Sequence, residues 1–125
     1  MGKKGNLIFA ALVFAVLTVF LVESVGAFCV YNKTDTEIGA QELYLFRGMN
    51  KDHIPPGGSE CCHWSNKDCN PDGKRDSTVT LRIGYQTSAG PFICEVEIKA
   101  GGWLNVSGKK DDGIRNFKCE AHYNP

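Results

Sequence analysis

The sequence has no surplus of charge of either sign. Its 14 Lys and Arg are balanced by 14 Asp and Glu, so the side chains sum to zero with histidine neutral. Without a basic surplus there is no electrostatic case for nucleic acid or for an anionic membrane surface, because both select proteins that neutralise dense negative charge. Helical patterning is missing too. No segment after the N-terminal apolar run repeats its apolar residues at three- and four-residue spacing long enough to bury a helix face. No internal repeat and no linker-like stretch divides the chain, and its 125 residues suffice for one domain. Paired Cys-x-x-Cys or His-x-x-x-His spacing is absent. His53, Cys61, Cys62, His63 and Cys69 supply zinc-ligand types, but not a zinc framework. No Ser-His-Asp or Cys-His arrangement stands out, so a small secreted hydrolase is an alternative reading, not the leading one.

What is present begins with an export signal. Lys3 and Lys4 form a basic start, and Leu7 to Val22 is a run of 16 residues with only Thr18 polar. Glu23-Ser24-Val25-Gly26-Ala27 then turns short-chained. That order is the one a secretory signal peptide uses, with small residues at the cleavage site. The expected cut follows Ala27, with Gly26 next in line. A membrane-spanning helix needs about 20 apolar residues, and this run stops short at Glu23, so no transmembrane segment is expected once the signal is removed. Residues 1–27 are thus read as the signal peptide and 28–125 as a secreted disulfide-rich β domain. Losing Lys3, Lys4 and Glu23 leaves 12 basic and 13 acidic residues, still near neutral.

All six cysteines fall after the signal: Cys29, Cys61, Cys62, Cys69, Cys94 and Cys119. An even count in a small exported domain implies three disulfides, which offset a modest core by destabilising the unfolded chain. Cys29, Cys94 and Cys119 fall on expected strands, and Cys61, Cys62 and Cys69 on the segment between them. A bridge between the neighbours Cys61 and Cys62 has unfavourable geometry. Each group holds an odd number, so at least one bridge must join the two groups; the exact pairing stays open among about 12 of 15 possibilities.

Two segments alternate with period two. Val79, Leu81, Ile83 and Tyr85 form one inward row, and Phe92, Cys94, Val96 and Ile98 another, joined by the turn residues 86–91. Weaker strands are expected at Phe28 to Asn32, Glu42 to Phe46, Trp103 to Val106 and Phe117 to Tyr123, with Trp103 assigned to the core. Residues 47–77 show no period and carry Pro55-Pro56-Gly57-Gly58 and Asn70-Pro71-Asp72-Gly73, which predicts a long loop tied down by its cysteines. Short strands with Gly and Pro turns argue for an all-β fold, a small antiparallel β-sandwich or barrel stapled by three disulfides.

Four motifs bear on function. Cys61-Cys62-His63-Trp64-Ser65-Asn66-Lys67-Asp68-Cys69 invites comparison with the catalytic helix of secreted phospholipase A2, but Ser65 occupies the histidine position and His63 comes too early. Asp68, Asn70, Asp72 and Asp76 follow the opening spacing of a calcium loop, with Gly73 at its turn. Val79 stands where the closing glutamate belongs, and an Asn-Pro-Asp-Gly turn accounts for the same residues without a metal. Asn32-Lys33-Thr34 and Asn105-Val106-Ser107 are N-glycosylation sequons, Asn32 the better placed of the two because Asn105 falls within an expected strand. Finally, His63 and Trp64 sit together in the polar segment, where an aromatic side chain stacks on a sugar, anchors a partner or covers a disulfide.

The run from Pro56 to Asn70, after the opening Cys29-Val30-Tyr31-Asn32-Lys33-Thr34, resembles small secreted cysteine-rich proteins of filamentous fungi, root-symbiotic species included. The resemblance spans the whole secreted part. It implies a protein working outside the cell, at a host surface, and carries no activity with it. The reading that results is a non-catalytic interaction protein, effector-like or lectin-like, whose partner is an extracellular protein or a carbohydrate. Its recognition surface is expected on residues 53–76, centred on His63 and Trp64; a calcium-dependent binding module is a further alternative.

Overall fold

The computed structural model describes residues 27–43 and 48–125. The signal-peptide residues before Ala27, and Tyr44 to Phe46 of the expected strand at Glu42, lie outside the described residues. Eight strands form two four-stranded sheets: β1 (Ala27–Thr34), β2 (Ile38–Glu42), β3 (Asn50–Ile54), β4 (Ser59–His63), β5 (Thr78–Tyr85), β6 (Phe92–Lys99), β7 (Trp103–Gly108) and β8 (Lys118–His122). One sheet runs β4-β1-β7-β8 and the other β3-β2-β5-β6. All pairings are antiparallel except β1 with β7. Two short 3-10 turns, Lys110–Asp112 and Ile114–Asn116, are the only helical elements among the described residues.

The sandwich follows from parity. In a strand, alternate side chains share a face. Phe28, Val30, Leu104 and Val106 fill the inner face of the first sheet, and Ile38, Ala40, Val79, Leu81, Ile83 and Ile98 that of the second. Met49, Ile54, Cys62, Cys69 and Ala100 complete the buried cluster. The sheets are also fastened covalently, by Cys94 on β6 to Cys119 on β8. The all-β, three-disulfide architecture expected from the sequence is therefore the one observed.

Three details differ from the expectation. Residues 47–77 are not one loop: β3 and β4 lie within them, one in each sheet. Phe92 is not inward but 57% exposed. A bulge pairs Ile83 with Cys94 but Gly84 with Phe92, so the additional residue Ile93 packs toward the core and Phe92 turns out. Trp103 also faces outward, because its neighbours Leu104 and Val106 take the inward positions of β7.

The β5–β6 connection folds back over the outer face of its own sheet. A Cβ on Gly39 would lie 1.9 Å from Ser88 N and one on Gly84 2.2 Å from Thr87 O, so the absence of side chains there lets the strap sit down. Arg82 holds it from β5, donating through Nη1 to Ser88 O and through Nη2 to Gly90 O at 2.8 Å. From β3, Asp52 Oδ1 accepts the Ser88 N–H at 2.7 Å. Those hydrogen bonds hold the Asp52 carboxyl below the usual carboxylate range, the Ser88 backbone N–H contributing most and its hydroxyl next; partial desolvation opposes them, and nearby His53 adds a smaller lowering.

Candidate functional site

The segment after β4 is built around one buried amide. β4 ends at His63, and the chain turns through Asn66, whose carbonyl accepts the N–H groups of Cys69 at 3.1 Å and Asn70 at 2.9 Å. The Asn70 side chain is fully buried. Its Nδ2 donates to Trp64 O at 2.6 Å and Lys74 O at 3.0 Å, and its Oδ1 lies 2.7 Å from the Ser77 hydroxyl. Pro71, Asp72 and Gly73 close a turn in which Gly73 N–H donates to Asn70 O at 3.0 Å. Proline at the second position and glycine at the fourth suit such a turn. The Cys62–Cys69 bridge ties the same segment to β4. It is therefore held from inside by a disulfide and an amide, while Asn66, Lys67, Pro71, Asp72 and Lys74 are exposed.

Its two ring-bearing residues divide the work. Trp64 is half-buried and packs against the core cluster. His63 is exposed, its ring centroid 5.1 Å from that of Trp64. Ser65 N–H donates to His63 Nδ1 at 3.1 Å, and the Ser65 hydroxyl lies 2.7 Å from the same nitrogen. One imidazole nitrogen that takes both a backbone N–H and the neighbouring hydroxyl acts as the cap of a turn, in the manner of an Asx or ST motif.

The four residues of the calcium spacing are not brought together as a donor set. Asn70 is spent inside the turn, while Asp68, Asp72 and Asp76 lie on its exposed side. Among the described residues no group of three or more His, Cys, Asp or Glu is placed to hold a metal ion. The zinc-ligand types separate likewise: Cys61, Cys62 and Cys69 are all bridged, and His53 on β3 pairs with Glu37 at 2.8 Å. The pairing is Cys29–Cys61, Cys62–Cys69 and Cys94–Cys119, with no free cysteine among the described residues.

The two sequons exchange rank. Asn32 is 1% exposed. Its Nδ2 donates to Thr36 O at 2.8 Å and Ile54 O at 2.9 Å, and its Oδ1 accepts Thr34 N–H at 2.9 Å and lies 2.6 Å from the Thr34 hydroxyl. The Asn and Thr of this sequon thus bond to each other in the passage from β1 to β2, with no room for a glycan. Asn105 is half-buried on the outer face of β7, so a glycan there is compatible with the fold.

That outer face also holds Trp103, which was expected in the core. Across the sheet, Cys61, Cys29, Trp103 and His122 lie in register. The Trp103 and His122 rings stack with centroids 5.2 Å apart and planes at 16°. The signal was available in the alternation Trp103-Leu104-Asn105-Val106, whose aliphatic members claim the core side. Compared with known proteins, the chain matches no family model and no curated sequence.

Proposed function

We propose that the chain is exported and works outside the cell as a non-catalytic binding module, effector-like or lectin-like. It recognises an extracellular protein or carbohydrate through the bridged turn that follows β4. The observation carrying this reading is the double tie of that turn. Cys62–Cys69 and the Asn70 amide order its backbone, while Lys67, Pro71, Asp72 and the neighbouring His63 stay exposed. A loop ordered before its partner arrives loses less conformational entropy on binding.

Two further features support export. Three disulfides with no free cysteine among the described residues suit an oxidising compartment. Phe28 is fully buried and pairs with Cys62, so a signal peptide removed after Ala27 or Gly26 leaves the sandwich whole, whereas a later cut takes core residues with it. No helix among the described residues is long and apolar enough to cross a membrane.

The test is expression in a eukaryotic secretory host, followed by N-terminal sequencing and a glycan-array screen with and without chelator. The expected product starts at Phe28 or Ala27 and binds a defined glycan class. His63→Ala and Lys67→Ala should each weaken that binding by about tenfold, the loss of one moderate contact, with the melting temperature unchanged for Lys67→Ala and lowered for His63→Ala, which also removes the cap on Ser65. Binding that survives both changes would move the site away from this turn, and Met1 at the N-terminus of a membrane-bound product would sink export.

A further inference from the structure

We propose that Cys29–Cys61 is a redox-labile bond, opened ahead of the other two by an extracellular dithiol reductant while the sandwich stays folded. Three observations carry this, and none depends on the ligand.

The first is register. Cys29 and Cys61 are directly opposed on β1 and β4. Asn32 N–H donates to Gly58 O, and hydrogen-bonded and non-hydrogen-bonded positions alternate along an antiparallel ladder. Counting back from Asn32 therefore puts Cys29 opposite Cys61 at a non-hydrogen-bonded position. The backbone ladder fixes the spacing there, with Cα atoms 4.0 Å apart, closer than disulfides usually span. The ladder also makes the bond redundant in the folded state. β1 is paired from Ala27 to Tyr31 with β4 and from Cys29 to Thr34 with β7, so the strand keeps its place when the sulfurs part.

The second is access. Thiol–disulfide exchange needs an incoming thiolate in line with the bond being broken. β4 is the edge strand of its sheet, and Cys61 is exposed on the outer face. Attack on the Cys61 sulfur, with Cys29 leaving, therefore comes from beyond the sheet edge. The opposite approach, to the Cys29 sulfur, is closed by burial, since Cys29 is 1% exposed on the central strand β1 with Trp103 of β7 in register beside it.

The third is contrast. Cys62 and Cys69 are 6% and 0% exposed. Cys94 and Cys119 are half-buried between the two sheets. The Cys62–Cys69 bond needs local opening before a thiolate can reach it. The Cys94–Cys119 bond, though it joins the edge strands β6 and β8, turns both sulfurs into the space between the sheets and presents no cysteine as exposed as Cys61.

The exchange balances. The reductant's thiolate attacks Cys61 Sγ, the intramolecular S–S bond breaks, and Cys29 leaves as a thiolate that takes up a proton. The reductant's second thiol then displaces Cys61 from the mixed disulfide. Two electrons pass to the protein and the reductant becomes a disulfide. The freed Cys61 thiol stands two residues from His63 on the same outward row of β4, and the row that includes Trp103 and His122 loses its covalent clamp.

The experiment is a time course of the folded, oxidised protein with a low concentration of thioredoxin or dithiothreitol. Samples are quenched with an alkylating reagent and mapped by peptide mass spectrometry, with far-ultraviolet circular dichroism recorded alongside. Cys29 and Cys61 should become labelled together at least tenfold faster than the other four cysteines, with the β signal retained. A Cys29→Ser/Cys61→Ser double variant should lose the fast phase alone. Labelling of another pair first, labelling of all six at one rate, or Cys29 and Cys61 labelling only as the β signal falls would each overturn the proposal.

Discussion

Replacing Asn32 by alanine separates a structural sequon from a glycan acceptor. The change removes an amide whose two donors go to Thr36 O and Ile54 O and whose oxygen serves Thr34. At 1% exposure, water cannot readily replace it. Ile54 O and Thr34 N–H would then lose this partner in the interior, each at a cost of about 1–3 kcal/mol, while Thr36 O keeps the Thr34 hydroxyl at 2.9 Å. Local relaxation recovers part of this, so the expected loss is about 3 kcal/mol. In a domain of this size 1 kcal/mol shifts the midpoint by about 4–8 °C, which puts the variant's melting temperature roughly 12–24 °C below that of the parent. Thermal and urea unfolding followed by circular dichroism measure it, with Asn105→Ala as the comparator; that residue is on the outer face and should cost under about 1 kcal/mol. The same geometry predicts that secreted, folded protein is bare at Asn32, which glycopeptide mapping reads directly. An Asn32→Ala variant as stable as Asn105→Ala, or a glycan on Asn32 in folded material, would refute the reasoning.

Three further outcomes follow from the packing. Trp64→Ala should cost about 1–3 kcal/mol, because the ring is half-buried against the core, and urea unfolding would show it; a neutral result would free Trp64 for a purely recognition role. Phe92→Ala should be nearly neutral while Ile98→Ala costs about 2–5 kcal/mol, since the first is exposed beyond the bulge and the second 2% exposed; equal losses would mean that the bulge is misplaced. Asp52 makes the strap acid-sensitive. Its folded pKa is depressed, so its contribution is complete above the ordinary carboxylate value of about 3.9 and is lost as pH falls through the lower folded value. The difference in urea midpoint between the parent and Asp52→Asn should be constant above about pH 5 and shrink below about pH 4; a difference that ignores pH would show that the carboxylate charge is irrelevant.

Strands with a long alternating apolar row were legible in the sequence. β2, whose buried row has only Ile38 and Ala40 as apolar members, was missed in favour of Glu42 to Phe46, and so were the polar strands β3 and β4. β5 and most of β6 announce themselves because Val79, Leu81, Ile83, Val96 and Ile98 alternate with polar residues. β3 reads Asn50-Lys51-Asp52-His53 with all four exposed. It is an edge strand joined to β2 through backbone hydrogen bonds, which leave no trace in side-chain polarity. β4 is also an edge, and its Cys-Cys pair places one sulfur on each face: Cys61 outward to Cys29, Cys62 inward to Cys69. Neighbouring cysteines with partners on opposite sides are what a strand's alternation produces, so the pair itself signalled extended chain. The register of Phe92 was out of reach, because a bulge inserts one residue and inverts parity from a point that composition does not mark.

The two motifs most suggestive of chemistry turn out to share a structural role. Asn32, in a glycosylation sequon, and Asn70, in a calcium-like spacing, are both buried asparagines that saturate backbone groups where the chain leaves a strand. Asparagine suits this position for a definite reason. Its amide carries two donors and an acceptor oxygen in one plane and no charge, so it bridges carbonyls and an N–H without the desolvation penalty that an aspartate would incur. A small sandwich needs such bridges wherever its chain crosses between sheets or doubles back, because backbone groups there have no ladder partner. The candidate recognition turn depends on the second bridge. If Asn70 is replaced by Asp, the loss of both Nδ2 donors takes the amide from Trp64 O and leaves Lys74 O with Ser77 alone, and the turn should loosen even with Cys62–Cys69 intact. Binding should then fall together with amide-exchange protection from Asn66 to Ser77, whereas a calcium site would respond to the added carboxylate by binding its ion more tightly.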